Sequence, residues 1–192
     1  MKKSIGANTI AYPNPVWCVG SYDTDGKPNV MTIAWGGICC SKPPAVTISL
    51  RKATYTYGCI MERGAYTISV PSTKYVAETD YFGIASGKST DKFSDTGLTA
   101  VPSDKVDAPY IGEFPLILEC KVIHTHEIGL HTQFIGEIMD IKADEGVLND
   151  KDLPLMDKVA PFVFGHGIRE YWALGETIGR GFDIGRKYNK QR

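Results

Sequence analysis

A succession of short β-type segments, each cut off by turn-forming residues, sets the limits on what this chain can become. Residues 16–22 read as a strand, residues 23–28 are dense in turn formers, and residues 29–35 supply a returning partner. The pair therefore predicts a hairpin with a longer loop. Gly36 and Gly37 then release the chain. Pro43 and Pro44 precede residues 45–50, whose strict alternation marks another strand, and residues 66–70 form a further one closed by Pro71. Longer strands follow at 116–124 and 132–141, with 126–131 as their connection.

Helical signals are few. Thr54 can cap a helix that runs to Glu62, with Gly64 just beyond its end, and Ser72 or Thr73 can cap a second one through Tyr81. Six or more short strands with sparse helices and frequent glycine and proline turns predict a mainly β protein. The expected form is a closed or nearly closed antiparallel barrel, because closure removes exposed strand edges. At 192 residues, one domain spanning residues 1–192 is expected, with a C-terminal extension from about residue 160 packing on the barrel or on a partner subunit.

A formal net charge of -1 supplies no electrostatic reason to bind nucleic acid or an anionic membrane. No apolar run approaches the ~20 residues of a spanning helix. The basic start at Met1-Lys2-Lys3 leads into residues too polar for a signal-peptide core, so a cytoplasmic protein is expected. The cysteines Cys18, Cys39, Cys40, Cys59 and Cys120 are odd in number and include no C-x-x-C pair, so they read as buried free thiols. The basic residues 186–192 read as a solvated terminus.

Three segments carry candidate binding chemistry. Residues 49–56 leave a strand with Arg51, Lys52 and the hydroxyls of Thr54, Tyr55 and Thr56, and open onto a helix N-terminus, a favoured place for phosphate. Residues 85–93 combine Ser86 and Gly87, which let backbone approach a ligand, with Lys88 and Lys92. In residues 29–35, alternation puts Val30, Thr32 and Ala34 on one face and Met31, Ile33 and Trp35 on the other, and Ala34 beside Thr32 leaves room for a flat ring. Singly, each segment is more often a solvated turn or an ordinary barrel strand. The spacings of a Walker loop and of a Rossmann fingerprint are missing. His124, His126 and His131 do not complete a ligand set, so no metal site is expected, and no serine elbow marks a hydrolase.

The order of these segments is more informative than any one of them. Asn29-Val30-Met31-Thr32-Ile33-Ala34-Trp35, then Lys42-Pro43-Pro44-Ala45-Val46-Thr47-Ile48-Ser49-Leu50-Arg51, then Ser86-Gly87-Lys88-Ser89-Thr90-Asp91-Lys92-Phe93 resembles the flavin reductase-like FMN-binding family. Gly136-Glu137-Ile138 and Tyr171-Trp172-Ala173-Leu174-Gly175-Glu176 fit the same pattern, closest to its flavoredoxin branch. The resemblance implies an antiparallel Greek-key split β-barrel with a few short helices, a homodimer with FMN near the subunit interface. It implies that Thr32, Ile33, Ala34 and Trp35 line the isoalloxazine and ribityl region, that Ser49, Leu50 and Arg51 follow the ribityl-phosphate side, and that Arg51, Thr54 and Thr56 grip phosphate. Ser86, Gly87 and Lys92 come from the second loop, Lys92 as a phosphate cation, and Tyr55 and Lys88 stand nearby. Phe164 and Tyr171 are candidates to cover the ring. FMN itself carries the redox chemistry, so no catalytic side chain is assigned. The expected activity is electron transfer from a nicotinamide or a redox partner protein. The alternatives are a non-catalytic flavin-binding barrel and a haem-binding one, in which His131 or His166 would matter more.

Overall fold

The structure is a computed structural model and describes residues 1–188. The basic tail at 189–192 therefore lies outside the described residues, while Arg186 and Lys187 are exposed in a final 3-10 turn. The strands in chain order are β1 (Asn14–Pro15), β2 (Trp17–Tyr22), β3 (Pro28–Ile33), β4 (Gly36–Ser41), β5 (Pro44–Arg51), β6 (Ala65–Val70), β7 (Ala100–Pro102), β8 (Pro109–Ile111), β9 (Leu116–Ile128), β10 (His131–Ala143), β11 (Phe162–Gly165) and β12 (Glu170–Ala173). Short helices α1 (Tyr55–Arg63), α2 (Val76–Ile84), α3 (Lys92–Thr96) and α4 (Met156–Val159) interrupt them.

Seven strands form one antiparallel sheet in the order β3-β2-β6-β9-β10-β5-β4. It curls far enough for β3 and β5 to touch across the seam. Alternation along each strand then separates two cores. Val19, Ile33, Ile48, Leu50, Tyr66, Ile68 and Phe134 fill the inside of the curl. Cys18, Val30, Phe82, Phe93, Ile111, Phe114 and Ile117 pack on its outer side, against α2 and α3. The alternation expected for residues 29–35 thus holds, with Val30 outside and Ile33 inside.

The β2–β3 hairpin forms with Trp17 opposite Ile33, as expected, but β3 ends at Ile33 and leaves Ala34 and Trp35 at the bend before β4. Helix α1 has Thr54 at its N-cap and ends on Gly64, whose φ of 63° is left-handed and lets its N–H reach Ile60 O. Three expectations need correction. Gly36 and Gly37 do not release the chain; they start β4, which pairs with β5 through the turn at Lys42-Pro43. Residues 126–131 are not a loop, because β9 and β10 stay paired until Gly129 and Leu130, so β9 runs on past the end of β6. Cys39 and Cys40 are exposed, since they lie on the edge strand β4 where a bulge falls between Ile38 and Cys40; Cys18, Cys59 and Cys120 are buried as expected.

Gly20 shows how tightly the layers meet. A Cβ there would overlap the carbonyl of Pro109 and lie 2.5 Å from Thr67 Oγ1, itself bonded to that carbonyl. Gly20→Ala should lower unfolding stability by about 2 kcal/mol or more, read as a reduced urea midpoint at unchanged m-value.

Strands β11 and β12 join β1 from the start of the chain in a second, small sheet in the order β1-β11-β12. A cavity of about 450 Å³ separates it from the barrel, walled by Trp17, Leu116, Leu118, Val159 and Phe162. The lining carries no cation, so it offers an anionic ligand nothing.

Candidate functional site

The bend at Ala34 and Trp35 sits between two clefts. On one side Thr32, Ile33 and Ala34 meet Asp80, Phe164 and Tyr171 around a cleft of about 240 Å³. On the other, Ala34, Trp35, Gly36 and Gly37 face Ser49, Gln133 and Asn14 across a polar cleft of about 340 Å³. Ala34 borders both because its side chain is too small to separate them. The strand order explains why these residues converge: β5 and β4 bring Ser49 and Gly37 to the seam, and Ser49 N donates to Trp35 O at 2.9 Å. β1 carries Asn14 over from the small sheet, where it pairs with Phe164.

The aromatic side of the site is built by tertiary contacts. Trp35 packs against His131 with ring centres 4.6 Å apart, and His166 meets it edge-on at 5.5 Å. Phe164 and Tyr171 lie 5.2 Å apart. The Tyr171 hydroxyl donates to Asp80 Oδ1 at 2.8 Å, which ties β12 to α2. Burial and that carboxylate push the Tyr171 phenol well above its usual range.

The second and third segments meet at Asn29. Its Nδ2 donates to Ser21 Oγ at 3.2 Å and to Thr56 Oγ1 at 2.9 Å. Gly87 is pressed so close to Asn29 Oδ1 that a Cβ could not be added, and that Cβ would also lie 2.9 Å from Tyr55. The absence of a side chain at Gly87 is therefore what lets the 86–90 loop lie against β3 and α1. Ser86 O closes that loop, accepting from Ser89 N, Thr90 N and Thr90 Oγ1. Tyr55 donates to Asp23 Oδ2 at 2.9 Å, and that bond pushes its phenol up to about 12. Burial raises the Asp23 carboxyl, but N–H bonds from Lys27 and Asp25 and the Tyr55 hydroxyl outweigh it and hold it below its usual value.

Thr32, Ile33, Ala34, Trp35 and Ser49 border the two clefts and Tyr55, Thr56 and Gly87 meet around Asn29, while the roles expected of Lys92 and Thr56 need correction. Lys92 is 4% exposed, and its ammonium donates at 2.8 Å to both Val30 O and Phe82 O. Asp91 caps α3 by accepting from Ser94 N, and the helix turns Lys92 inward. Its charge joins β3 to α2 and is not presented to the loop as a phosphate cation. The hydroxyl of Thr56 likewise faces Asn29 in the interior, so Thr56 can offer a phosphate only its backbone N–H at the start of α1. The Leu50 side chain is buried in the barrel, leaving its backbone for the site. Thr54 does not cap with its side chain; its hydroxyl donates to Arg51 O at 2.9 Å and shapes the turn. Arg51 and Lys88 are exposed and have no carboxylate partner among the described residues, whereas Lys52 pairs with Glu127 at 2.6 Å.

Sequence reasoning did not single out Asn14, Gln133, Asn29 or Asp80. Gln133 could have been found, because it is the one amide side chain at the start of the recognised strand 132–141. Asn14 arrives through the small sheet, which leaves no periodic trace, and Asp80 lies on the expected second helix with nothing local to mark it as a site residue.

Comparison with known proteins agrees with this arrangement. The flavin reductase like domain matches residues 9–164. Flavoredoxin of Desulfovibrio vulgaris (Miyazaki F) superposes with a TM-score of 0.93 at 57% identity, over 96% of this chain and 100% of that one. Flavoredoxin from Methanosarcina acetivorans does so with a TM-score of 0.91 at 30% identity, over 97% and 98%. An uncharacterised protein of Archaeoglobus fulgidus is 35% identical over 115 residues, which are 60% of this chain and 65% of that protein's length. The curled seven-stranded sheet is accordingly a split barrel, and the chain belongs to the flavin reductase-like family, in its flavoredoxin branch.

Proposed function

We propose that the protein is an FMN-binding flavoprotein that transfers electrons, with the cofactor held along Thr32–Trp35, Ser49–Arg51, the start of α1 and the Ser86-Gly87 loop. The observation that carries this reading is the pair of clefts that meet at Ala34, one walled by Phe164 and Tyr171 and the other by Gly37, Ser49 and Asn14, with Arg51 two residues beyond Ser49 on β5. The residues present fit the group. Asn14 Oδ1 is buried at the polar cleft without a partner and suits an imide N–H. Gly37 faces open space, and Arg51 with the α1 N-terminus suits a phosphate. Bound FMN supplies the redox chemistry, accepting a hydride or releasing single electrons. The chain's own residues bind and orient. Ser49 and Trp35 fix the seam backbone, the Asn29–Thr56–Gly87 contact sets the spacing of the phosphate end, and Phe164 and Tyr171 keep water from one wall.

Under this reading the single domain covers the whole chain, and the C-terminal extension lies on a second copy in a homodimer. Ile178 and Phe182 support that placement, since both are fully exposed apolar side chains on the extension. No described helix is long and apolar enough to cross a membrane, which fits a cytoplasmic location. Anaerobic mixing of the holoprotein with NADH and NADPH tests the donor: rapid bleaching of the flavin band identifies a nicotinamide-driven reductase. No bleaching by either, with bleaching by a reduced carrier protein, identifies an electron carrier. A flavin band that no donor bleaches would contradict electron transfer.

A further inference from the structure

The run of β9 past the end of β6 places two histidines outside the site already described. His126 pairs with Gln133, which pairs with Ser49; His124 pairs with Ile135, which pairs with Thr47. Residues directly opposite across a sheet share a face. His124 and His126 therefore project from the same face as Thr47, Ser49 and Gln133, one strand outward from the polar cleft. Beyond Val122, β9 has no paired strand on its other side among the described residues, because β6 stops at Ala65 opposite Lys121. Both histidines are exposed, and neither imidazole has a hydrogen bond or ion pair among the described residues. Their rings face one another with centres 6.3 Å apart and planes 28° apart.

We infer that His124 and His126 form a bidentate imidazole chelate for a divalent transition-metal cation of the copper, nickel or zinc class. Two residues at i and i+2 on a strand bring their ring nitrogens toward one point. With metal–nitrogen bonds of about 2.0–2.1 Å, two rings on a tetrahedral cation have centres about 5 Å apart, so small side-chain rotations close the present gap. Neutral imidazole selects these ions over magnesium and calcium, which take oxygen ligands. No third histidine, cysteine or carboxylate is grouped with the pair among the described residues. The remaining coordination positions thus belong to water or to ligands the cation brings, as at open sites and unlike the closed four-ligand structural ones. The site accepts an aqua or partly chelated ion beside the cleft, and it does not depend on what the cleft binds.

The test uses the full-length, tag-free chain carrying Cys39→Ser and Cys40→Ser, so that the exposed thiols do not compete for metal. Calorimetric titration with Ni(II) should show one equivalent bound, and the Cu(II) form should show hyperfine coupling to two imidazole nitrogens. His124→Ala and His126→Ala should each weaken binding by roughly 10-fold or more, while His131→Ala should leave it unchanged. Circular dichroism of each variant confirms that the fold is retained. The inference is overturned by unchanged affinity in both His124→Ala and His126→Ala, by loss of binding in His131→Ala, or by no binding up to about 1 mM metal.

Discussion

Lys92→Ala is expected to lower unfolding stability by about 4 kcal/mol, the largest loss of any single side chain discussed for this protein. The change leaves the carbonyls of Val30 and Phe82 buried without their donor and opens a gap beside Phe82 and Phe93. Each orphaned acceptor costs about 1–3 kcal/mol, and lost packing adds to that. Urea unfolding followed by circular dichroism checks the value; a loss under 1 kcal/mol would contradict the clamp. A pH signature accompanies it. Burial pulls the Lys92 ammonium down from its ordinary 10.5 to about 8, so between these values the unfolded chain binds more protons at this residue than the folded one. Its contribution to stability is therefore complete above pH 10.5 and is lost as pH falls through about 8. Stability of wild type relative to Lys92→Met should accordingly rise from pH 8 to pH 10, while groups common to both proteins cancel.

Arg51→Ala should weaken FMN binding by about 100-fold with little change in folding stability. The guanidinium is exposed at the end of β5 and has no carboxylate partner among the described residues, so its removal leaves the contacts of the apo fold in place. A charge-assisted bond to phosphate contributes about 1.5–3 kcal/mol, and the upper end of that range corresponds to about 100-fold in affinity. Quenching of flavin fluorescence on titration into apoprotein gives the constant. Arg51→Lys should restore part of the loss, because it returns the charge without the planar fork. An unchanged constant in Arg51→Ala would remove this residue from the phosphate end.

The two residues differ in how well their sequence context announced them. Arg51 ends a strand of clear alternation and precedes a helix start, so local pattern already placed its charge at an exposed turn beside a helix N-terminus. Lys92 stands among small polar residues and reads equally as a loop cation. Only the Asp91-capped turn of α3 and the neighbouring carbonyls of β3 and α2 reveal that it points inward. Thr56 misleads for the same reason, because its partner Asn29 is distant in sequence.

Elements follow a similar division. The strands β2, β5 and β6 and helix α1 were legible because alternation, caps and turn residues all agree there. β4 was not, since two glycines suggest release and its strand character comes from pairing with β5. The outer half of the β9–β10 hairpin lacks apolar alternation between Thr125 and Glu127, and cross-strand hydrogen bonds sustain it instead. The small sheet joins β1 to β11 across most of the chain, and it supplies Asn14, Phe164 and Tyr171 to the site. Such long-range pairing has no local signature.

The claim that the clefts at Ala34 hold FMN is tested most directly by the flavin that the purified protein carries. Acid release followed by mass analysis should yield FMN at one molecule per chain, and the stripped protein should take up added FMN and quench its fluorescence. A colourless protein that neither releases a flavin nor binds added FMN would contradict the account.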